Sequence, residues 1–339
     1  MGNQSLKKHE KDETMNRKKI IRNTIKIIFT LAFVFMVVKT VSVKDVITLF
    51  STLDHQTIFK SLILYLLVNI GRSIRFVLLT DKKTALHQML PIVLSHGCCN
   101  RVLPFRLGES AFPYLMKKVE EVSVSDSVPS VIVVRLFDLF SSVALFVLAY
   151  FFCVIKQSLI VCIAVFALLI SASVMIFPVI IRILNSKKEN IPDNKVLNII
   201  IDGIEKKTDV LNIKNCFLLM IVSIANWILL FLIFQAILLN SDLDIPLVYT
   251  ILAGSFSNLS SILPLSSIGN FGTMELGWSA VLGMLGYPAE KSLSSGFAVN
   301  LCTFLLAIIF GLPGMLYLIV RKKRKETAGT GRSEEYPRK

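Results

Sequence analysis

Long apolar runs alternate with short polar segments along this chain. Six of the runs approach the roughly 20 residues that an α-helix needs to cross a bilayer. They lie at about 24–43, 58–80, 129–153, 158–181, 216–239 and 294–320. The pattern predicts an all-α, polytopic membrane protein with about six full transmembrane helices.

Two more apolar stretches, at 84–116 and 247–290, are broken by proline and glycine. The first lies between two lysine pairs, and the second lies between Asp244 and Glu290. Because basic residues favour the cytoplasmic side, both ends of the first stretch are assigned to the cytoplasm. Both ends of the second stretch are assigned to the outer side. Each stretch is therefore predicted to be a re-entrant helical hairpin.

The order of spans and hairpins repeats with opposite topology, in halves of about 24–153 and 158–320. An inverted repeat of this kind brings the two broken elements together near the midplane of the membrane. The second half also contains a segment at 182–215 in which charged and apolar residues alternate. This alternation predicts a cytoplasmic amphipathic helix on the inner leaflet, with a partner-binding helix as the alternative.

Basic residues decide the predicted orientation. They cluster in an arm at 1–23, in the 182–215 segment and in a charged tail at 323–339, and each cluster is assigned to the cytoplasm. Both termini are therefore predicted to lie inside, with 24–322 forming a single integral membrane domain. The lack of organelle-targeting signals favours a prokaryotic plasma membrane.

The composition agrees with this assignment. Hydrophobic residues make up 54% of the 339 residues, and the formal net charge is +14. So many apolar runs exclude a soluble domain. The positive charge lies in the cytoplasmic flanks, where anionic lipid headgroups attract it, so no nucleic-acid partner is predicted.

Each hairpin contains an asparagine, a Leu-Pro helix break, glycine and a glutamate, in that order. These residues are Asn100, Pro104, Gly108 and Glu109 in the first hairpin, and Asn258, Pro264, Gly269, Gly272 and Glu275 in the second. Helix breaks and carboxylates are costly at membrane depth, because the freed backbone groups and the charge find no bulk water. The motifs are predicted to line a shared cavity; the alternative is that both glutamates lie in water-exposed loops.

Charged residues near these breaks suggest how such a cavity would bind a lipid headgroup. Glu109 and Glu275 would hold a cationic group or carry a proton. Arg101 and Arg106 suit a lipid phosphate, because a guanidinium group matches phosphate oxygens in two contacts. Arg72 is either a further phosphate contact or part of a structural pair.

Other polar residues in the spans have structural interpretations. Arg75 is expected to extend to the inner interface, and Arg135 and Asp138 are expected to form an ion pair within one helix. Four further residues are predicted to make hydrogen bonds between helices: Asn226, Trp227, Gln235 and Asn300. No chemical role is assigned to them.

No catalytic motif or metal site is predicted. The chain has no P-loop, no Gly-x-Ser-x-Gly elbow and no His-Glu-x-x-His pair. His96 is close in sequence to Cys98 and Cys99, but no second cluster supplies the remaining ligands of a metal. We therefore expect no cofactor.

Several motifs together resemble a known family. They are Asn100 to Glu109, Arg135-Leu136-Phe137-Asp138, Leu263-Pro264, Ile268-Gly269, Met274-Glu275 and the pair Arg72 and Arg75. The pattern resembles the flippase-like transmembrane region of lysylphosphatidylglycerol synthases, over roughly residues 20–322. One departure is a stretch with Ser266, Ser267 and Asn270, which is often richer in proline and glycine in the family.

The resemblance implies a membrane unit that moves or presents a lipid with a charged headgroup, in full-length members an aminoacylated phosphatidylglycerol. Those members append a soluble aminoacyl-transferase domain, for which this chain leaves no room, so we expect no enzyme activity from the chain alone. The leading hypothesis is translocation of a polar, anionic or aminoacylated phospholipid or glycolipid. Membrane phospholipids are the expected partners, and an oligomer is left open.

Two alternatives belong to other functional classes. In the first, the chain is the membrane component of an aminoacyl-lipid synthesis system, with a separately encoded aminoacyl- or glycosyl-transferase as partner. In the second, the chain is an ion-coupled carrier of small solutes. The sequence shows no line of polar residues through several spans, which argues against a carrier.

Overall fold

The computed structural model describes residues 51, 53–80, 84–186, 202–205, 207, 210–240, 243–260 and 268–333. The chain divides into two compact units, Met1–Thr48 and Leu49–Lys339, and all described residues belong to the second. The predicted span at 24–43, the break at Pro264 and much of the 182–215 segment lie outside the described residues.

The described residues fold into α-helices joined by short connections, with no β-strand among them. The first group is α1 His55–Leu79, α2 Leu86–Val102, a 3-10 segment Pro104–Ser110, α3 Ala111–Val119, α4 Val124–Cys153 and α5 Leu159–Ser186. The second group is α6 Ile213–Leu238, α7 Leu247–Ser260, a 3-10 segment Ile268–Asn270, α8 Thr273–Met284 and α9 Ala289–Ser333.

Within the described ranges, four helices are long and apolar enough to cross a membrane: α1, α4, α6 and α9. They coincide with the predicted spans at 58–80, 129–153, 216–239 and 294–320, and α5 coincides with the span at 158–181. The all-α, polytopic fold is confirmed. The total number of spans and the inverted repeat stay predictions.

Both predicted hairpins contain two short helices with a break between them. In the first hairpin, α2 and α3 are joined by the 3-10 segment that begins at Pro104. In the second, α7 and α8 lie on either side of the break, and Gly269 and Gly272 adopt positive φ angles of 63° and 91°. Positive φ angles favour glycine, because a side chain would clash with the backbone there.

Side-chain caps fix the starts of α1 and α6. Asp54 caps α1 by accepting a hydrogen bond of 2.9 Å from the backbone N–H of Thr57. Hydrogen bonding with the Thr57 side chain, and then with its backbone N–H, holds the pKa of the Asp54 carboxyl below its usual value. Asn212 caps α6 in the same way, accepting from the N–H of Asn215 at 2.9 Å.

The helices pack around two apolar clusters. The first, here named the Trp278 cluster, includes Tyr65, Phe231, Phe234, Trp278 and Leu282. The second, named the Phe137 cluster, includes Phe76, Phe112, Phe137, Met116 and Met220. Large apolar side chains also remain exposed on the outer surfaces of the bundle, as expected where lipid replaces water as the solvent.

Glycines allow α9 to lie close against α2. A Cβ atom added at Gly311 would lie 2.2 Å from the Cβ of Cys98, and one added at Gly314 would lie 3.1 Å from the carbonyl oxygen of Pro91. Small residues at such contacts let two helix backbones approach closely in a membrane.

The substitution Gly311→Ala is expected to lower the free energy of unfolding by about 1–3 kcal/mol, the usual cost of overpacking a tight contact. Gly283→Ala is the matched control, because a Cβ atom there meets nothing within 4 Å. Unfolding in mixed micelles of a mild detergent and SDS measures both changes. Equal stability of the two variants would contradict the packing argument.

Candidate functional site

A polar cavity of about 190 Å³ lies within the helix bundle. Its walls come from α1, α2, the first 3-10 segment, α4, α6, α7 and α8, and they include side chains of both apolar clusters. The cavity is therefore formed jointly by the first hairpin, the second hairpin and the long helices. Residues that are far apart in sequence meet in it.

Among the described residues, six charged side chains line the cavity: Arg72, Arg75, Arg101, Arg135, Glu109 and Asp138. Four guanidinium groups face two carboxylates, so these six groups leave two positive charges. A buried charge is costly unless another charge or several hydrogen bonds compensate it. The partners of each arginine therefore decide where an anion would bind.

Arg75 is neutralised by Asp138. The two side chains form a close ion pair between α1 and α4, and Nη1 of Arg75 also donates to Oγ of Ser223 on α6 at 2.8 Å. The Arg75 side chain is only 2% exposed. The expected extension of Arg75 to the interface is wrong, because tertiary packing encloses the side chain and supplies a carboxylate.

Arg135 is held mainly by Glu109. Its Nη2 atom lies 2.5 Å from Oε1 of Glu109, while its Nη1 atom lies 3.8 Å from Oδ2 of Asp138. The predicted pair of Arg135 and Asp138 is present at the longer distance, but each group has a closer partner on another element. The Arg135–Glu109 pair therefore joins α4 to the first 3-10 segment.

Arg101 is connected to Glu275 through Asn300. Nη1 of Arg101 donates to Oδ1 of Asn300 at 2.9 Å, and Nδ2 of Asn300 donates to Oε1 of Glu275 at 2.9 Å. The other carboxylate oxygen of Glu275 accepts from the backbone N–H of Gly272 at 2.7 Å, which caps α8. This chain of hydrogen bonds links the ends of both hairpin breaks to α9.

Arg72 has no such compensation. No described residue accepts a hydrogen bond from its guanidinium group or pairs with it within 4 Å. Arg72 and Arg101 are thus the two cavity arginines that lack a directly contacting carboxylate among the described residues. They account for the two surplus positive charges.

His96 is packed as part of the wall. Its Nε2 atom lies 2.9 Å from the Asn100 amide and 3.9 Å from Oε2 of Glu109. Its ring contacts Phe76 and Phe112 edge to face. Among the described residues, no group of three His, Cys, Asp or Glu side chains is placed to hold a metal ion.

A second, mainly apolar groove adjoins the cavity and has a volume of about 490 Å³. Its apolar walls include Pro113 on α3 and Val128, Ile132 and Leu139 on α4. Six residues line both spaces: Glu109, Val131, Arg135, Asp138, Trp227 and Asn258. The polar cavity and the apolar groove therefore meet, with Arg135 at the junction.

The structure brings most of the predicted site residues together. Asn100, Arg101, Glu109, Arg72 and Asn258 line the cavity. Glu275 is not in the cavity lining, but the Asn300 side chain connects it by hydrogen bonds to Arg101. The side chains of Pro104 and Arg106 lie outside the described set, as does Pro264.

Gly108 has a packing role beside the cavity. A Cβ atom added there would lie 2.4 Å from the backbone of Asn100, so only glycine lets the 3-10 segment fold back onto α2. This contact holds the next residue, Glu109, at the cavity wall.

Trp227 and Asn300 were predicted to make hydrogen bonds between helices, but the sequence did not identify their partners. Trp227 donates through Nε1 to the carbonyl oxygen of Asp138 at 3.2 Å, which joins α6 to α4. Asn300 was expected to make hydrogen bonds between helices but not to connect Arg101 with Glu275. The indication available in the sequence was an amide within the apolar run 294–320, and it does not reveal the partners.

Comparisons with known proteins agree with this architecture. Residues 23–311 match the family described as the lysylphosphatidylglycerol synthase TM region. A UPF0104 membrane protein of Methanocaldococcus jannaschii is 26% identical over 234 residues, covering 67% of this chain and 96% of the relative. No solved structure gives a significant match. The match over most of the chain shows that this multi-pass membrane protein belongs to the lysylphosphatidylglycerol synthase transmembrane-region family.

Proposed function

We propose that this protein moves an anionic phospholipid between the two leaflets of a membrane. The observation that carries the proposal is the junction of a positively charged cavity with an apolar groove. A phospholipid has the same division, with a charged headgroup joined to acyl chains. Membership of a family named for lysylphosphatidylglycerol synthesis supports a lipid as the substrate.

The headgroup phosphate is assigned to Arg72 and Arg101. Both line the cavity, and neither directly contacts a carboxylate among the described residues. A guanidinium group binds phosphate oxygens through charge-assisted hydrogen bonds, and two such groups would offset the cost of removing the phosphate from water.

The acyl chains are assigned to the groove along α4. At about 190 Å³ the cavity is smaller than the roughly 300–1,000 Å³ of a typical small-molecule site, so it suits a headgroup and not a whole lipid. The groove offers a further 490 Å³ with mainly apolar walls. A lipid would place its phosphate inside while its chains follow the groove or remain in the bilayer.

Reconstitution into liposomes tests this proposal. Fluorescent phosphatidylglycerol in the inner leaflet is protected from a membrane-impermeant quencher unless the protein moves it outward. We expect faster loss of protection with the protein than in protein-free liposomes, and slower movement of a zwitterionic phosphatidylcholine probe. Equal rates with and without the protein, for both lipids, would overturn the proposal.

Arg72→Gln and Arg101→Gln are each expected to slow this movement by about 10- to 100-fold, because each removes a hydrogen bond to a charged group worth about 1.5–3 kcal/mol. Lys60→Gln is the matched control: it removes one positive charge from an exposed residue of the same helix as Arg72, outside the cavity. If all three variants move the lipid equally fast, the phosphate does not bind at Arg72 and Arg101.

The family description favours a second candidate, a membrane component of lysylphosphatidylglycerol synthesis. Purified protein supplied with lysyl-tRNA and phosphatidylglycerol distinguishes the two, because a transferase would produce a lysyl lipid. We expect product only when a separate transferase is added. Product from the chain alone would make synthesis the primary activity.

A further inference from the structure

We infer that Arg135 is a second anion-binding position, at the junction of cavity and groove, and that Glu109 occupies it as an internal substitute for a lipid phosphodiester. An incoming phosphodiester would displace the Glu109 carboxylate from Arg135 before moving on to Arg72 and Arg101. The inference rests on the proposed function and adds an intermediate position to it. Four observations support it.

The first observation is the location of Arg135. It lines both the cavity and the groove, as Glu109 does. A headgroup that enters along the groove therefore meets this pair before it reaches the deeper arginines. The Arg135 side chain is also 47% exposed, in contrast to Arg75, at 2%.

The second observation is that the Arg135–Glu109 contact is replaceable. Asp138 already neutralises the buried Arg75 and lies 3.8 Å from Arg135, so it is a poor competitor for an incoming anion. Glu109 is the close partner of Arg135, and it carries one negative charge. A phosphodiester also carries one negative charge and offers two oxygens to the same guanidinium fork, so Arg135 keeps a singly charged anionic partner after the exchange.

The third observation is the incomplete bonding of Glu109. Its Oε1 atom contacts Arg135, but its Oε2 atom is buried and makes no hydrogen bond with the described residues. A permanent structural partner is expected to have its buried oxygen atoms satisfied, since a buried polar atom without a hydrogen bond is costly. The unpaired oxygen lowers the cost of separating Glu109 from Arg135.

The fourth observation is the element that carries Glu109. Arg135 belongs to the long helix α4, whereas Glu109 lies near the end of a seven-residue 3-10 segment. Such segments have poorer hydrogen-bond geometry than α-helices. The cation is thus fixed, and the carboxylate lies on the weaker element.

Tryptophan fluorescence can report on this position directly. The chain has two tryptophans, and Trp227 lines both the cavity and the groove. In a Trp278→Phe background, Trp227 becomes the single reporter. Binding of short-chain phosphatidylglycerol is then titrated in detergent, with short-chain diacylglycerol as the uncharged control ligand.

We expect Glu109→Gln to bind the phosphatidylglycerol about 3- to 10-fold more tightly, because it removes the internal competitor for Arg135, a free-energy gain of about 0.7–1.4 kcal/mol. Glu109→Asp keeps the charge but shortens the side chain, so an intermediate gain is expected. Binding of the uncharged lipid should not change. Arg135→Gln should weaken phosphatidylglycerol binding, and adding Glu109→Gln to it should have no further effect.

The control variants separate this inference from the proposed function. If the parent protein binds phosphatidylglycerol but Glu109→Gln and Glu109→Asp bind it no more tightly, Glu109 is a structural partner and the inference is wrong. The same holds if Glu109→Gln tightens binding equally in the Arg135→Gln background. If tighter binding is found but neither the unaltered protein nor any variant moves lipid in liposomes, the anion position stands and the translocation proposal fails.

Discussion

Asp138→Ala is expected to destabilise the protein by about 3–5 kcal/mol, the usual cost of breaking a buried ion pair from one side. The variant leaves the Arg75 guanidinium buried with the Ser223 hydroxyl as its remaining close partner. The hydrogen bond from Trp227 survives, because it goes to the backbone carbonyl of residue 138. The free energy of unfolding, followed by circular dichroism in mixed detergent and SDS micelles, measures the loss.

The double variant Arg75→Met with Asp138→Leu is the decisive control. Replacing both partners of a buried ion pair with apolar residues of similar size is often neutral or stabilising, since neither charge then needs compensation. We expect the double variant to recover to within about 1–2 kcal/mol of the unaltered protein. A double variant as unstable as Asp138→Ala alone would show that the loss arises elsewhere.

The long helices were predictable because their cause is local. A bilayer requires about 20 apolar residues with internally satisfied backbone groups, and α1, α4, α6 and α9 meet that requirement in their own sequences. The hairpin breaks were predictable for the same reason. Pro104, for example, opens the 3-10 segment that separates α2 from α3.

The partners of the charged residues were not predictable, because they depend on tertiary contacts. At i and i+3 on one helix, Arg135 and Asp138 form the simplest pair in sequence. In the fold, Asp138 instead lies nearest Arg75, and Arg135 lies nearest Glu109. Local spacing identified these residues as a group but assigned the wrong principal partner to each.

The junction between the cavity and the groove could not be predicted from the sequence either. It depends on how Pro113 of α3, residues of α4 and Trp227 of α6 come together to line one groove. An apolar stripe on α4 has the same pattern whether it faces lipid, another helix or a substrate chain. Only the tertiary arrangement shows that part of this stripe continues into a charged cavity.

The second large effect is expected at the hydrogen-bonded chain from Arg101 through Asn300 to Glu275. Asn300→Asp places a new carboxylate at the position that now donates to Glu275 over 2.9 Å. Two carboxylates at this distance repel each other and lose a hydrogen bond to a charged group, so we expect a loss of about 3 kcal/mol or more in unfolding free energy. The SDS unfolding measurement applies here as well.

Adding Glu275→Gln to Asn300→Asp exchanges the amide and the carboxylate along this chain. The new carboxylate can still accept from Arg101, and the new amide can donate to it while its oxygen accepts from the N–H of Gly272. The three side chains keep the same total charge, so we expect the double variant to regain most of the lost stability. If it is no more stable than Asn300→Asp alone, the chain of hydrogen bonds is not what holds α8 and α9 together.

Lipid movement by the same double variant answers a separate question. In the unaltered protein, Arg101 donates to a neutral amide, which leaves its charge available to an anion in the cavity. In the double variant Arg101 faces a carboxylate and is neutralised, although stability is restored. We therefore expect phosphatidylglycerol movement to fall by about tenfold while the fold recovers. Full recovery of both would show that the free charge of Arg101 is not needed for transport.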